Sequence, residues 1–305
     1  MPPRLRHLGE IAINREEVRR LKRVKEYIDT YKFPKVPRSD KLHPEDESPY
    51  RKEEVCPPEI IYFLSAGQGP EILDYELAVA IAGASKKHTK IGKELAWILA
   101  RTVTRFGEEN HITTIVNGGG VFGIDAAAFY GCMNVPYENW RQNEGYNNLL
   151  GCAVAVLGQS VKRGIYPHGE RRPRFEEALL SRGGLVSQIA EPRPHQTIRT
   201  ALERDHIITA LSDANIAIEC LKKSGTVDGI LKGTLQGVPQ YVVNWNNITI
   251  PAPLGKPPLR EGGDYLLKMD RIPGRQEVKP FPAERTEWND IPKKFYELLA
   301  SLCST

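Results

Sequence analysis

Long apolar runs are missing from this chain of 305 residues, and with them any segment suited to cross a bilayer as a helix. The N-terminus has no apolar core of the kind a secretory leader needs, which leads to the expectation of a cytoplasmic protein without membrane partners. Cysteine is scarce. Five residues, Cys56, Cys132, Cys152, Cys220 and Cys303, form an odd set with no CxxC pair, which argues against both a disulfide framework and a zinc site. A large excess of one charge is missing too: the net charge of +4 permits a polyanionic partner without demanding one. What remains is a globular chain of ordinary hydrophobic content, sized for one large domain with extensions.

Three sections follow one another. Within residues 1–76, Arg15 to Tyr31 reads as a helix with Val18, Leu21, Val24 and Ile28 on one stripe and basic residues around it. That stripe suits docking on the main domain or a partner subunit, and the basic face suits nucleic acid. Prolines between Phe33 and Pro58 indicate a linker, and Glu59 to Leu64 a short strand or entry segment. Residues 77–245 alternate apolar strands (77–82, 112–116, 152–157, 185–189, 216–220, 240–243) with helices (91–105, 124–133, 175–182, 198–211, 226–236). Strands buried on both faces and separated by helices imply an α/β, Rossmann-like, doubly wound parallel sheet. Residues 246–305 read as a proline-rich, irregular tail closed by a helix from Trp288 to Leu302.

In such a sheet, ligands bind beyond the carboxyl ends of the strands, where the winding reverses. The loops expected there share one chemistry. Asn117 to Ala128 places Gly118, Gly119, Gly120 and Gly123 between a β-branched strand and an alanine-rich helix, so that amides and a helix N-terminus can face an anion. The same stretch also suits a tight strand-to-helix connection, and it lacks the acidic ribose partner expected about 20 residues beyond a dinucleotide fingerprint. Gly83, Ser85, Lys86 and Lys87 follow the first core strand. Gly158-Gln159-Ser160 and the basic Arg171, Arg172 and Arg174 follow the third, and Lys222-Lys223-Ser224-Gly225-Thr226 the fifth. Small residues, hydroxyls and cations without clustered carboxylates favour holding a phosphorylated ligand over metal-assisted hydrolysis, so neither a metal nor a cofactor is expected.

Five segments, Ala80 to Lys86, Gly123 to Ala128, Ala155 to Gly158 with Ile165-Tyr166-Pro167, Ile207 to Asp213, and Lys223 to Thr226, occur in the order and at roughly the spacing of the DNA-processing protein A (DprA/Smf) family. Over residues 77–245 the chain resembles that family's Rossmann-like core. The resemblance implies single-stranded DNA binding in a basic pocket, a homodimer, and delivery of a RecA-type recombinase. The chain departs from the family pattern at Glu203-Arg204-Asp205-His206, which keeps Arg204 from an arginine-rich run and adds two acids. The glycine turn lacks the usual arginine, and no winged-helix tail is evident.

The same superfamily contains Lonely Guy hydrolases, so a nucleotide-binding sensor or a nucleotide N-ribosyl hydrolase stands as the alternative. Their glutamate position is Gly229 here, and Asp228 is one residue early, about 100° round a helix. His195, His206, Trp140, Tyr146 and Tyr166 read as polar or packing residues near a pocket.

Overall fold

The computed structural model describes residues 8–14, 60–66, 76–85, 87–109, 113–119, 122–133, 152–165, 183–189, 198–251, 256–269 and 276–304. Its strands and helices, in chain order, are β1 (Leu8–Asn14), β2 (Ile60–Ala66), β3 (Leu77–Ala82), α1 (Lys90–Glu109), β4 (Thr113–Asn117), α2 (Gly123–Cys132), β5 (Cys152–Val156) and β6 (Gly184–Ser187). Then come α3 (Ile198–Ala210), β7 (Ala214–Ala217), α4 (Gly225–Leu235), β8 (Gln240–Val243), β9 (Ile248–Thr249), α5 (Glu261–Leu267), β10 (Val278–Phe281), β11 (Thr286–Glu287) and α6 (Ile291–Cys303).

The apolar runs of the core strands pair as the sequence implies. Among the described residues the main sheet has nine strands in the order β1-β2-β6-β5-β4-β3-β7-β8-β10. The stretch from β6 to β10 is parallel throughout, and β2 joins β6 antiparallel. Every residue of β4, β6, β7 and β8 is buried, the signature of strands covered on both faces. One layer is α1 packed on α2 and α6; the other is α3 packed on α4, with Leu266 of α5 clustered against Val227, Ile230 and Leu231. The stripe Leu95, Leu99, Val103 and Phe106 turns α1 onto the sheet. Burying each such side chain contributes about 1.5–3 kcal/mol before chain entropy is set against it.

Winding fixes where a ligand belongs. From β3 the chain steps outward to β4, β5 and β6, then returns to the other side of β3 as β7 and continues to β8. The carboxyl ends of β3 and β7 therefore lie side by side while their connections diverge, which is the switch point.

Several expectations are corrected. The strand read at 216–220 is formed by Ala214–Ala217, because Ile218, Glu219 and Cys220 already belong to the loop that meets β3: Ile218 N–H donates to Ala82 O and Ala84 N–H to Glu219 O. The tail is not irregular. Residues 246–286 contain α5 and the strands β9, β10 and β11, and β10 extends the parallel sheet beside β8. Pro280 is tolerated in β10 because that strand is the last of its sheet, where one amide need not pair. β1, an antiparallel partner of β2, was not foreseen. The helix from Arg15 to Tyr31, the helix at 175–182, and Trp140, Tyr146, Tyr166, Arg171, Arg172, Arg174 and His195 lie outside the described residues.

Candidate functional site: a switch-point cavity

A cavity of about 430 Å³ occupies the crevice between β3 and β7. Three of the four anticipated loops reach it. Gly83 and Ser85 come from the loop after β3, Gly118 from the loop after β4, and Lys223, Ser224, Gly225 and Thr226 from the loop after β7 and the start of α4; Arg204 enters from α3. Gln159 and Ser160, after β5, are buried and do not line it. Lys86 and Gly120 lie outside the described residues. Lys87, Gly119, Gly123 and Lys222 are described and do not line the cavity.

The helix starts at this edge differ. α4 is capped by Ser224, whose hydroxyl accepts from Val227 N–H at 3.4 Å, and its first residues border open space. Lys222 lies over the Tyr265 ring at 5.0 Å, which turns it away toward α5. α1 begins against a carboxylate of the chain itself. Glu219 accepts from Thr89 N–H at 2.8 Å, from Thr89 Oγ1 at 2.5 Å and from Leu259 N–H at 2.9 Å. Negative charge at a helix N-terminus is favourable, and at α1 the protein supplies it. α2 is in contact with the loop after β3, through Ile124 N–H to Ala84 O at 3.4 Å.

The glycine turn is therefore partly architecture. Gly123 has φ +77, and a Cβ there would lie 2.5 Å from Ala84 O and 2.7 Å from Ser85 Cα, so the two loops approach only because that atom is missing. Arg204 is committed as well. Its Nη1 donates to Gly118 O and, at 3.1 Å, to Val156 O, so the guanidinium ties the ends of β4 and β5 together. Arg204, expected among the phosphate-binding residues, lines the cavity and serves as a buttress as well.

Sequence reasoning missed the acids. Asp125 of α2 and Asp205 of α3 both line the cavity, with Asn117, Thr209 and Asn215 beside them. The expectation of no clustered carboxylates fails because these acids come from helices, while only the loops were read for them. Asp125 accepts from the Gly83 backbone, yet its Oδ1 is buried with no hydrogen-bond partner. Burial raises its pKa to about 6 against the pull of Arg204. Burial likewise raises Asp205 to about 7, opposed by Lys232 and Arg204 and reinforced by Asp228 and Asp125. Asp228 and Lys232 form a buried pair on α4, Oδ2 to Nζ 2.5 Å. His206, expected near the surface or pocket, is buried on the far side of α3; burial and the neighbouring Lys232 hold its pKa well below the ordinary value.

Asn215 has a defined orientation. Gln240 spends its Nε2 on Val238 O, so its Oε1 must accept from Asn215 Nδ2, and Asn215 Oδ1 is left as a buried acceptor without a partner. The cavity thus has acceptors on its floor and a capped helix start with a lysine at its rim. Among the described residues no group of three or more metal-ligating side chains forms.

A doubly wound sheet with a cavity at its switch point defines a Rossmann-like fold. The chain belongs to the DNA recombination-mediator protein A family, whose model matches residues 39–247, more than half of its length. Among solved structures it is similar to DNA processing protein A from Helicobacter pylori, described for its single-stranded DNA binding mode. The two share 20% identity at a TM-score of 0.54, over 87% of this chain and 94% of that one. DNA processing protein A from Streptococcus pneumoniae is similar at 18% identity and a TM-score of 0.49, over 82% of this chain and 78% of that one. No curated protein sequence matches the chain.

Proposed function

We propose that this protein binds single-stranded DNA in DNA processing, seating backbone phosphate at the start of α4. One observation carries the reading: the helix start flanked by Lys223 and capped by Ser224 opens on the cavity, while α1 begins on the Glu219 carboxylate and α2 brings the acid Asp125 in its first turn. Amides at a helix start favour an anion through their unpaired N–H groups and the helix dipole. Gly83 and Ser85 form the facing wall and need no charge of their own. Membership of the DNA recombination-mediator family and the likeness to a protein described as binding single-stranded DNA support the same ligand. A homodimer and a RecA-type recombinase partner belong to this reading, and no bond-making chemistry does.

Fluorescence anisotropy on a labelled single strand, the matching duplex and free mononucleotides, each at two salt concentrations, tests it. The single strand should bind best, with affinity falling steeply as salt rises, because phosphate contacts release counterions. Lys223→Ala should weaken binding and flatten that slope. A mononucleotide binding as tightly as the strand, with little salt dependence, would transfer the site to a free nucleotide.

A further inference from the structure

The acids of the cavity have no use in a simple phosphate grip, and their placement asks for one. We propose that Asp125 and Asp205 set the charge the cavity accepts, so that an anion entering it brings a proton to this carboxylate pair. This rests on the reading that phosphate seats at the start of α4.

The geometry supplies the coupling. Asp125, on α2, and Asp205, on α3, line one cavity together with Lys223, Ser224 and Gly225. Arg204 of α3 lines it as well, and Asp205 also feels the Asp228–Lys232 pair of α4, so with Lys223 three carboxylates meet three cations, while His206 stays neutral beside Lys232. A phosphate at the rim adds negative charge within the same poorly screened space, where charges interact far more strongly than in bulk water. Protonating one acid offsets it.

Asp125 Oδ1, buried and unpartnered, gains most from this. As a carboxylate it is an acceptor with no donor, whereas as a carboxylic acid it can donate to the ligand or to its neighbour. The resting values of about 6 and about 7 put the change within reach of neutral pH, and the charge of Asp125 adds to the forces that raise Asp205. An incoming anion raises both values further, so binding takes up protons and must tighten as pH falls.

The test measures single-stranded DNA affinity by anisotropy at about pH 6 and about pH 8 and constant ionic strength, a window in which phosphodiesters keep their charge. The parent should bind at least about tenfold tighter at the lower pH, the signature of an average uptake of about half a proton across the two pH units. Asp205→Asn should bind more tightly than the parent at the higher pH and lose most of the dependence. Lys223→Ala should bind more weakly at both values and keep it. An affinity that does not change with pH, or a dependence that survives in both Asp205→Asn and Asp125→Asn, overturns the proposal. If the strand fails to bind at either pH, the DNA reading falls and the coupling is read with sulfate, whose charge is fixed over this range. Thermal stabilisation by sulfate that grows at low pH in the parent and not in Asp205→Asn supports the proposal, and its absence refutes it.

Discussion

Two helices start at neighbouring points of the same sheet edge, and the protein treats them in opposite ways. The loop into α1 and the loop into α4 have similar compositions, Gly83-Ala84-Ser85 with lysines after it and Lys222-Lys223-Ser224-Gly225-Thr226. At α1 the buried carboxylate of Glu219 fills the place of an anion, bonded to Thr89 twice and to Leu259 once. At α4 the first-turn acid Asp228 is paired with Lys232, Ser224 caps the helix, and its start borders the cavity. A glycine-serine-lysine loop therefore states only that an anion is welcome. Whether that anion is a side chain or a ligand depends on what the next strand delivers, and here β7 delivers Glu219 to its neighbour and leaves its own helix open.

The largest break in this contrast is Glu219→Ala. It strands three donors in a partly buried setting, each costing toward the low end of about 1–3 kcal/mol, and should lower stability to denaturant by about 3 kcal/mol in all. Sulfate should restore part of the loss by entering the vacated end of α1, while it adds much less to the parent there. Loss without rescue would mean that the carboxylate joins loops and is no stand-in for an anion.

Asp205 is the reverse of Glu219, a carboxylate whose surroundings disfavour its charge. Asp125 and Asp205 are held above an unfolded value near 3.8, so their contribution to stability is full below that value and is lost as pH rises through about 6 to 7. Asp205→Asn should accordingly stabilise the chain at about pH 8, by about 2 kcal/mol, and by much less at about pH 5. Thermal melts of parent and variant at both values check it; equal differences at the two would show that the acid is not paying for its charge. Gly123→Ala should cost a similar amount, about 2 kcal/mol, from left-handed φ and the collision with Ala84 O, without touching the open start of α4. Its binding while folded should match the parent, as anisotropy below the melting temperature would show.

The parallel sheet was legible because apolar strands buried on both faces leave a clear pattern, and three of the four loops were placed at the cavity because winding rules bring strand ends together. Within residues 77–245 the described helix starts lie within one residue of expectation, as at Ile124 against Gly123, while the last helix begins at Ile291, three residues after Trp288. What stayed hidden was tertiary. Nothing local distinguishes Arg204 as a tie between Gly118 O and Val156 O from Arg204 as a phosphate ligand. Asp205 was visible only as an acid out of place in an arginine-rich motif, and its meaning depends on Asp125, which lies far away in sequence and on the same cavity wall. The short elements after residue 245 escaped because Pro and Gly punctuate them, although β10 needs only four residues to join the sheet.

The smallest effect sharpens the contrast at α4 itself. Ser224 caps this helix by accepting from Val227 N–H, so Ser224→Ala should cost about 1 kcal/mol in stability. The hydroxyl is also a candidate donor to phosphate, and the two roles make different demands. A bound phosphate brings oxygens that can accept the Val227 N–H set free by the variant, so ligand offsets the loss of the cap. Affinity for single-stranded DNA should then stay within about threefold of the parent, and the stability deficit should narrow when the strand is saturating, since the ligand stabilises whichever form it binds. Melting both proteins with and without the strand gives all four values from one preparation. A deficit that stays constant with ligand would place the phosphate away from the first turn of α4, and the wall formed by Gly83 and Ser85 would become the next place to look.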